Sequence, residues 1–335
     1  HSKSLENLKK AVMMKWTGKR VGLALGGGGV RGFSHIGVLK VLEQEDVGID
    51  LIAGTSAGAL IGGAYAGGLS PREIHRRVES YLQSPAFKNS ALQALGSTVN
   101  PRKKNALEKA SHLLRTRYLM VRAIFHPAIL PSVEFESLVD YFIADINIED
   151  TRIPFLAVTT DLISGERVVF KEGSLRKAVL ASCAVPGAVE PIRQGEWLLA
   201  DGGITSLVPV HAVKQADVDV VIAVVVDRDA RGAPVFETAQ DIFQRAGEIA
   251  ADKLEAIELQ DADVIIRPEV GDLHWMDFSR SRDLIHAGEV AARASLARIH
   301  QALPLPRRLA RLARLAFPFG QKNVRKATIK AGERK

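Results

Sequence analysis

Ile49-Asp50-Leu51-Ile52-Ala53-Gly54-Thr55-Ser56-Ala57-Gly58 is the stretch on which the reading of this chain turns. Its first half, Ile49–Ala53, is a short apolar run that reads as a strand. Its last residues open Ala57–Ala66, a small-residue segment that reads as a helix and is stopped by Gly67-Gly68. A serine flanked by glycines between a strand and a helix sits on a sharp turn that lifts its hydroxyl above a sheet. The helix that starts directly after Ser56 aims the positive end of its dipole at that hydroxyl.

Working outward, Val21–Leu25 is a second apolar strand, followed by Gly26-Gly27-Gly28-Gly29-Val30-Arg31-Gly32 and a helix over Phe33–Gln44. Ser70-Pro71-Arg72-Glu73 starts a further helix with a capping residue, a first-turn proline and the glutamate of a capping box. A helix near Glu134–Ala144 follows. Pro154–Thr160 and Arg167–Phe170 make a hairpin through Ser164-Gly165, and Ser174 caps a short helix that ends before Pro186-Gly187. Strands at Trp197–Ala200 and Val218–Val226, then helix Phe236–Gln260, strand Ala262–Arg267 and helix Ser281–Leu303 complete the pattern. Such alternation predicts an α/β fold, a three-layer sandwich with a central mostly parallel sheet covered on both faces. No internal repeat is visible. Three parts are expected: an N-terminal extension over 1–17, a catalytic domain over 18–303 and a basic tail over 304–335. Within the domain, residues 85–131 are the least sheet-like and read as an insertion or lid.

Composition narrows the classes. The chain has 335 residues, 47% of them hydrophobic, enough for one large core. Its single cysteine, Cys183, cannot form an internal disulfide and suits a reducing compartment, so a cytoplasmic setting is expected. No apolar run is long enough to cross a bilayer as a helix, and His1–Lys19 lacks the apolar core of a signal peptide. The net charge of +7 is concentrated in Pro304–Lys335, where ten Lys and Arg face Glu333 alone, and in Arg102–Arg122, where seven cations face Glu108. Leu305, Leu309, Leu312, Ala316 and Phe319 share one helical face with Arg307, Arg311 and Arg314 opposite. That is the pattern of a basic amphipathic helix at an anionic membrane surface. Packing of the same leucines on the body is the equal alternative. The tail has no Tyr or Trp for base stacking, and no nucleic-acid partner is expected.

The chemistry follows from the two glycine clusters. Successive glycines leave backbone N–H groups unshielded, as a site that stabilises an oxyanion requires. Gly27-x-Gly29-x-x-Gly32 also matches a dinucleotide fingerprint, but the acidic residue that should end the second strand is absent there, because that run closes on Ala53-Gly54. No cofactor is therefore expected. No His, Cys, Asp or Glu cluster has metal-ligand spacing, so no metal is expected. A serine nucleophile needs a base. Asp201, after Trp197–Ala200 and before Gly202-Gly203, stands at a strand end where α/β folds gather functional groups. A carboxylate can serve if burial raises its pKa. His211, His274 and His286 are the histidines a rival arrangement would use, and the residues alone leave that choice open. Cys183, in a small-residue stretch without a nearby histidine, reads as a core residue.

Gly27-Gly28-Gly29-Val30-Arg31-Gly32, Gly54-Thr55-Ser56-Ala57-Gly58 and Asp201-Gly202-Gly203 resemble, in order and spacing, the three blocks of the patatin-like phospholipases. Ala181-Ser182-Cys183-Ala184-Val185-Pro186-Gly187 is similar to the family's small-residue block before the aspartate. The form Gly-Gly-Gly-Gly-Val-Arg-Gly-Phe-Ser-His-Ile-Gly looks most like the bacterial branch related to neuropathy target esterase. The resemblance covers residues 18 to 300. It implies a Ser56–Asp201 dyad without histidine and an oxyanion hole from Gly27, Gly28 and Gly29. Two departures stand out. Gly26 replaces an Asp of plant members, and Ile204-Thr205-Ser206 replaces an Asn-rich stretch.

The expected function is a serine lipid acyl hydrolase acting on phospholipids, lysophospholipids or acyl esters, with peripheral contact at the inner face of a membrane through its tail. Arg31 is expected either to touch a substrate phosphate or to brace the glycine loop. The alternatives are a His-dependent acyltransferase or triad hydrolase, and a non-enzymatic membrane-associated signalling protein.

Overall fold

The computed structural model describes residues 20–99, 128–226, 239–271 and 273–303. The expected N-terminal extension, the basic patch at Arg102–Arg122 and the tail beyond residue 303 lie outside the described residues. The chain divides into Arg20–Leu296 and a unit of His1–Lys19 with Ala297–Lys335. Of the latter only Ala297–Leu303 is described, as the end of a helix.

Among the described residues, eight strands form one sheet: β1 Val21–Leu25, β2 Leu51–Thr55, β3 Phe155–Asp161, β4 Arg167–Phe170, β5 Ile192–Gln194, β6 Trp197–Asp201, β7 Val220–Val224 and β8 Val264–Ile266. Their order is β5-β6-β3-β2-β1-β7-β8, with β4 paired to β3 off this path. The centre, β3-β2-β1-β7-β8, is parallel, and β4, β6 and β5 add antiparallel pairs beyond β3. The helices are α1 Ser34–Gln44, α2 Ala57–Ala66, α3 Pro71–Gln83, α4 Pro85–Lys88, α5 Ala91–Val99, α6 Ser132–Phe142, α7 Leu175–Ser182, α8 Val210–Lys214, α9 Ala239–Glu258 and α10 Ser281–Ala302.

The three layers follow from alternation along the central strands. Leu23, Ile52 and Phe155 lie in one row across β1, β2 and β3, and Ala24, Ala53 and Leu156 in the next. On the first face α2 packs closely, its Gly62 over Leu25, Ile52 and Phe155, with Val179 of α7 against Gly63. The second row joins Val208, Val210 and Val213 of the α8 region and Leu259 after α9 in one buried cluster. Because both faces are covered, β1, β2, β3 and β7 are buried along their whole length.

Several element boundaries differ from the sequence reading by a few residues, and the shift of β2 bears on the site. β2 runs from Leu51 to Thr55 instead of Ile49 to Ala53. Asp50 stays outside because its carboxylate accepts the Val21 N–H at 2.7 Å, closing the sheet's N-terminal edge. Ser56 is therefore the residue directly after the strand. The hairpin partner β5 was not expected from the sequence; it has three residues, half-exposed or exposed, without an apolar alternation to mark it. The start of the 85–131 segment is helical, as α4 and α5. Ala91 and Ala94 of α5 and Leu130 pack against Ala184, Ala188 and Val189.

Gly58 in the first turn of α2 is required by proximity. A Cβ there would collide with the Leu25 carbonyl oxygen of β1. Overpacking of this kind costs about 1–3 kcal/mol. Gly58→Ala should lower the urea-unfolding free energy by at least that much, whereas Ala substitution at Gly247, which meets nothing within 4 Å, should not.

Candidate active site

Ser56 directly follows β2 and caps α2 in a backbone conformation of φ 53° and ψ −122°. Non-glycine residues rarely adopt such angles, and the strain is of order 1–3 kcal/mol. Surrounding bonds hold the turn. The Ser56 N–H donates to Ser182 Oγ at 3.0 Å, and Ser182 Oγ–H donates onward to the Val158 carbonyl at 2.6 Å. Ser182 thus fills the gap where β2 parts from β3. The Cys183 thiol donates to the Ser56 carbonyl at 3.0 Å. Thr55 Oγ1 donates to the Ser206 carbonyl at 2.9 Å.

The register brings Asp201 to the same level. Thr55 pairs with Val158, so Ser56 lies level with Thr159, and Thr159 pairs with Asp201. The Gly203 N–H donates to Asp201 Oδ1 at 2.7 Å. Asp201 Oδ2 is buried and without a hydrogen-bond partner among the described residues. Burial pushes this carboxyl up to about 6, against the opposing pull of the Ser56 hydroxyl and the Gly203 N–H. The hydroxyl is close enough to act on the carboxyl, yet it completes no bond of standard geometry with Oδ2.

Hydrogen bonds hold the glycine loop at several points. Gly26 N–H donates to Val224 O at 3.0 Å, Gly27 N–H to Leu207 O at 2.9 Å and Val30 N–H to Trp275 O at 2.9 Å. His35 Nε2–H donates to Gly26 O at 2.8 Å, and Arg31 Nε donates to Gly28 O at 3.1 Å. Arg31 thus bonds to the backbone of the loop it belongs to. Gly27, expected among the oxyanion donors, has its N–H committed to Leu207. Gly28 and Gly29 keep N–H groups without a protein acceptor among the described residues. Gly29 also has φ 60°, with the Trp275 carbonyl where a Cβ would stand.

A cavity of about 120 Å³ opens beside Ser56 and Gly29 and is lined almost entirely by apolar side chains, among them Leu60, Ile61, Leu138 and Val189. The histidines fall elsewhere. His211 is held between Glu258, at 3.5 Å, and Asp261, at 3.0 Å. His274 Nδ1 accepts the Met276 N–H at 3.3 Å, and His286 is exposed on α10. Cys183 is buried, and burial together with the Asp201 charge pushes its thiol pKa well up. Among the described residues no group of three or more His, Cys, Asp or Glu side chains could hold a metal ion, and no helix is long and apolar enough to cross a membrane.

His35 is not among the histidines that the sequence pattern singles out. Its signal was the position itself, nine residues after Gly26 on the first apolar helix. It is fully buried, and desolvation lowers its pKa to about 4, so it is neutral. The role of Ser182 carried no signal in composition, because it depends on the gap between two strands.

A family model for patatin-like phospholipases matches residues 23–214. The chain belongs to the patatin-like phospholipase family. It is 28% identical over 311 residues to an uncharacterised NTE family protein of Mycobacterium tuberculosis, covering 85% of this chain and 48% of that protein. It is 34% identical over 207 residues to a second such protein of the same organism, covering 61% and 48%. Patatin-like phospholipase domain-containing protein 6 of Mus musculus is 32% identical over 211 residues, 62% of this chain and 14% of that protein. The chain spans about half the length of the mycobacterial relatives it matches. Among solved structures, VipD from Legionella pneumophila aligns with a TM-score of 0.41 at 14% identity, over 83% of this patatin-like chain and 66% of that one. The type III effector ExoU aligns at 0.35 and 15%, over 85% and 53%. Membership of the family supports lipid hydrolysis as the class of activity.

A raised carboxyl has a stability signature. The folded pKa of Asp201, about 6, lies above its ordinary value of 3.8. The folded state is thus favoured at pH below about 4, and that advantage is lost as pH rises through 6. Above pH 6 the buried carboxylate costs about 3 kcal/mol. Asp201→Asn should therefore gain stability over the wild type at pH 8 but not at pH 4, as read by urea unfolding at the two values.

Proposed function

We propose that this chain is a serine lipid acyl hydrolase working through a Ser56–Asp201 dyad. The observation that carries the reading is a strained serine at a strand–helix turn, beside a buried carboxylate oxygen that no protein donor satisfies, at the mouth of an apolar cavity. With a pKa near 6, Asp201 is ionised at neutral pH but basic enough to take a proton. Ser56 Oγ attacks the ester carbonyl while its proton passes to Asp201 Oδ2. The tetrahedral oxyanion faces the Gly28 and Gly29 N–H groups at the positive end of α2. Collapse expels the alcohol, protonated by Asp201, and leaves an acyl-Ser56 ester. Asp201 then draws a proton from water, whose oxygen attacks the acyl carbon; as the bond to Ser56 Oγ breaks and the fatty acid leaves, Asp201 returns that proton to Ser56 Oγ.

The cavity suits an acyl chain, so phospholipids, lysophospholipids and simple acyl esters are the proposed substrates. The basic amphipathic tail would hold the chain at an anionic bilayer. A histidine-dependent mechanism gains no support from the positions of His211, His274 and His286.

On a p-nitrophenyl ester, Ser56→Ala and Asp201→Asn should each lower kcat at least about 10³-fold, and Ala at His211, His274 or His286 should leave it within a few-fold. Loss of several orders of magnitude at one histidine would overturn the dyad. The wild-type kcat/KM should rise with pH through about 6 and then level. Across straight-chain esters, kcat/KM should increase about fourfold per added methylene, at ~0.8 kcal/mol each, until the cavity is filled. A flat series would argue against acyl binding there.

A further inference from the structure

The segment after Asp201 joins all three motifs of the site, and it is anchored from the far side of the sheet. Ser206 and Leu207 present consecutive carbonyls. The first accepts from Thr55 Oγ1, one residue before the candidate nucleophile, and the second accepts from Gly27 N–H at the start of the glycine loop. The Ser206 N–H returns to Gly202 O at 2.8 Å, and Thr205 Oγ1 meets Thr160 Oγ1 at 2.9 Å. No strand ladder supports this stretch. Its Ser206 hydroxyl is anchored by Glu258, at the end of α9.

Both carboxylate oxygens of Glu258 accept the Ser206 hydroxyl, at 2.7 and 2.9 Å. Glu258 is 1% exposed and Ser206 is fully buried. Arg167 of β4 neutralises the carboxylate at 3.0 Å, and His211 of α8 lies 3.5 Å away. A buried carboxylate is costly unless paired and hydrogen-bonded, and here it is both. Neither Glu258 nor Ser206 borders the apolar cavity. Leu259, the next residue, belongs to the cluster on the opposite face from α2.

We infer that Glu258 is a positioning residue for the hydrolytic site. By fixing Ser206 it sets the relative placement of the Ser56 turn, the Asp201 carboxyl and the glycine loop. This inference rests on the hydrolase reading above. The residue touches neither substrate nor the reacting atoms. Removing its carboxylate leaves the Ser206 hydroxyl and Arg167 unpaired and frees the two carbonyl clamps to shift. Glu258→Gln keeps an oxygen acceptor for Ser206 and preserves the clamp.

The test measures kcat and KM on a p-nitrophenyl ester and the rate of Ser56 labelling by a fluorophosphonate, on the full chain. Variants are Glu258→Ala, Glu258→Gln, Ser206→Ala and the double alanine, each with its folded fraction measured by circular dichroism. Expected is a kcat at least tenfold lower for either alanine variant, with KM within twofold and labelling slowed in parallel. The double variant should be no worse than the poorer single one, and Glu258→Gln should recover most of the loss. Wild-type labelling rates in folded alanine variants, additive losses, or losses matching the unfolded fraction would each overturn the inference. If Glu258→Ala fails to fold, Ser206→Ala alone decides, since it removes the same bond and only one hydroxyl. A wild type that the probe does not label would instead sink the hydrolase reading.

Discussion

Most of the site depends on one requirement, that β2 leave the sheet at Ser56 through angles an L residue resists. Strain of that size persists only where neighbours over-determine it. Here the neighbours come from four directions. Ser182 takes the N–H, Cys183 takes the carbonyl, Ser206 fixes Thr55 just before the turn, and α2 begins just after it. Each bond adds about 1 kcal/mol net, so together they offset the strain and hold the backbone while the Ser56 side chain stays free to turn. Its surroundings then choose the direction. On one side stands a carboxylate oxygen with no other donor, and beyond the hydroxyl lies apolar space.

The sheet separates two kinds of environment. On the α2 face the side chains near Ser56 are apolar and enclose a cavity. On the α8 face a polar cluster of Glu258, Ser206 and Arg167 lies among valines and leucines. A site that bound its apolar ligand and anchored its loops on the same face would have to place charges against the ligand. Division by the sheet removes that conflict, and Thr55 is the link because alternation turns its side chain to the polar face while Ser56 turns away at the elbow.

Local signals made the centre of the fold legible. The runs Val21–Leu25 and Val220–Val224 are apolar because both faces of those strands are covered, and the glycine clusters mark turns whose close contacts exclude a Cβ. The Ser70 cap was readable because its bond to the Glu73 N–H spans only three residues. What could not be read was set by distant partners. The start of β2 shifted because Asp50 reaches Val21, and β5 exists only because β6 offers it an edge. Ser56 and Asp201 could be singled out by pattern, whereas their shared level on the sheet comes from β3, which carries neither. Gly27 looked equivalent to its neighbours until the Leu207 carbonyl claimed its amide. His35 and Ser182 do their work through contacts that no spacing rule encodes.

Two of the buried ionisable groups near the elbow, His35 and Asp201, oppose each other as proton stores. Folding makes the His35 imidazole reluctant to take a proton, down to about pH 4, and makes the Asp201 carboxyl eager for one, up to about pH 6. As pH falls through that interval, the unfolded chain gains a proton at His35 that the folded chain refuses. The folded chain gains one at Asp201 ahead of the unfolded chain. Each difference is worth about 3 kcal/mol, with opposite sign. Their joint proton uptake on unfolding is therefore close to zero across the interval. The fold can thus bury an unprotonated imidazole behind its glycine loop without the acid sensitivity that such a group would impose alone.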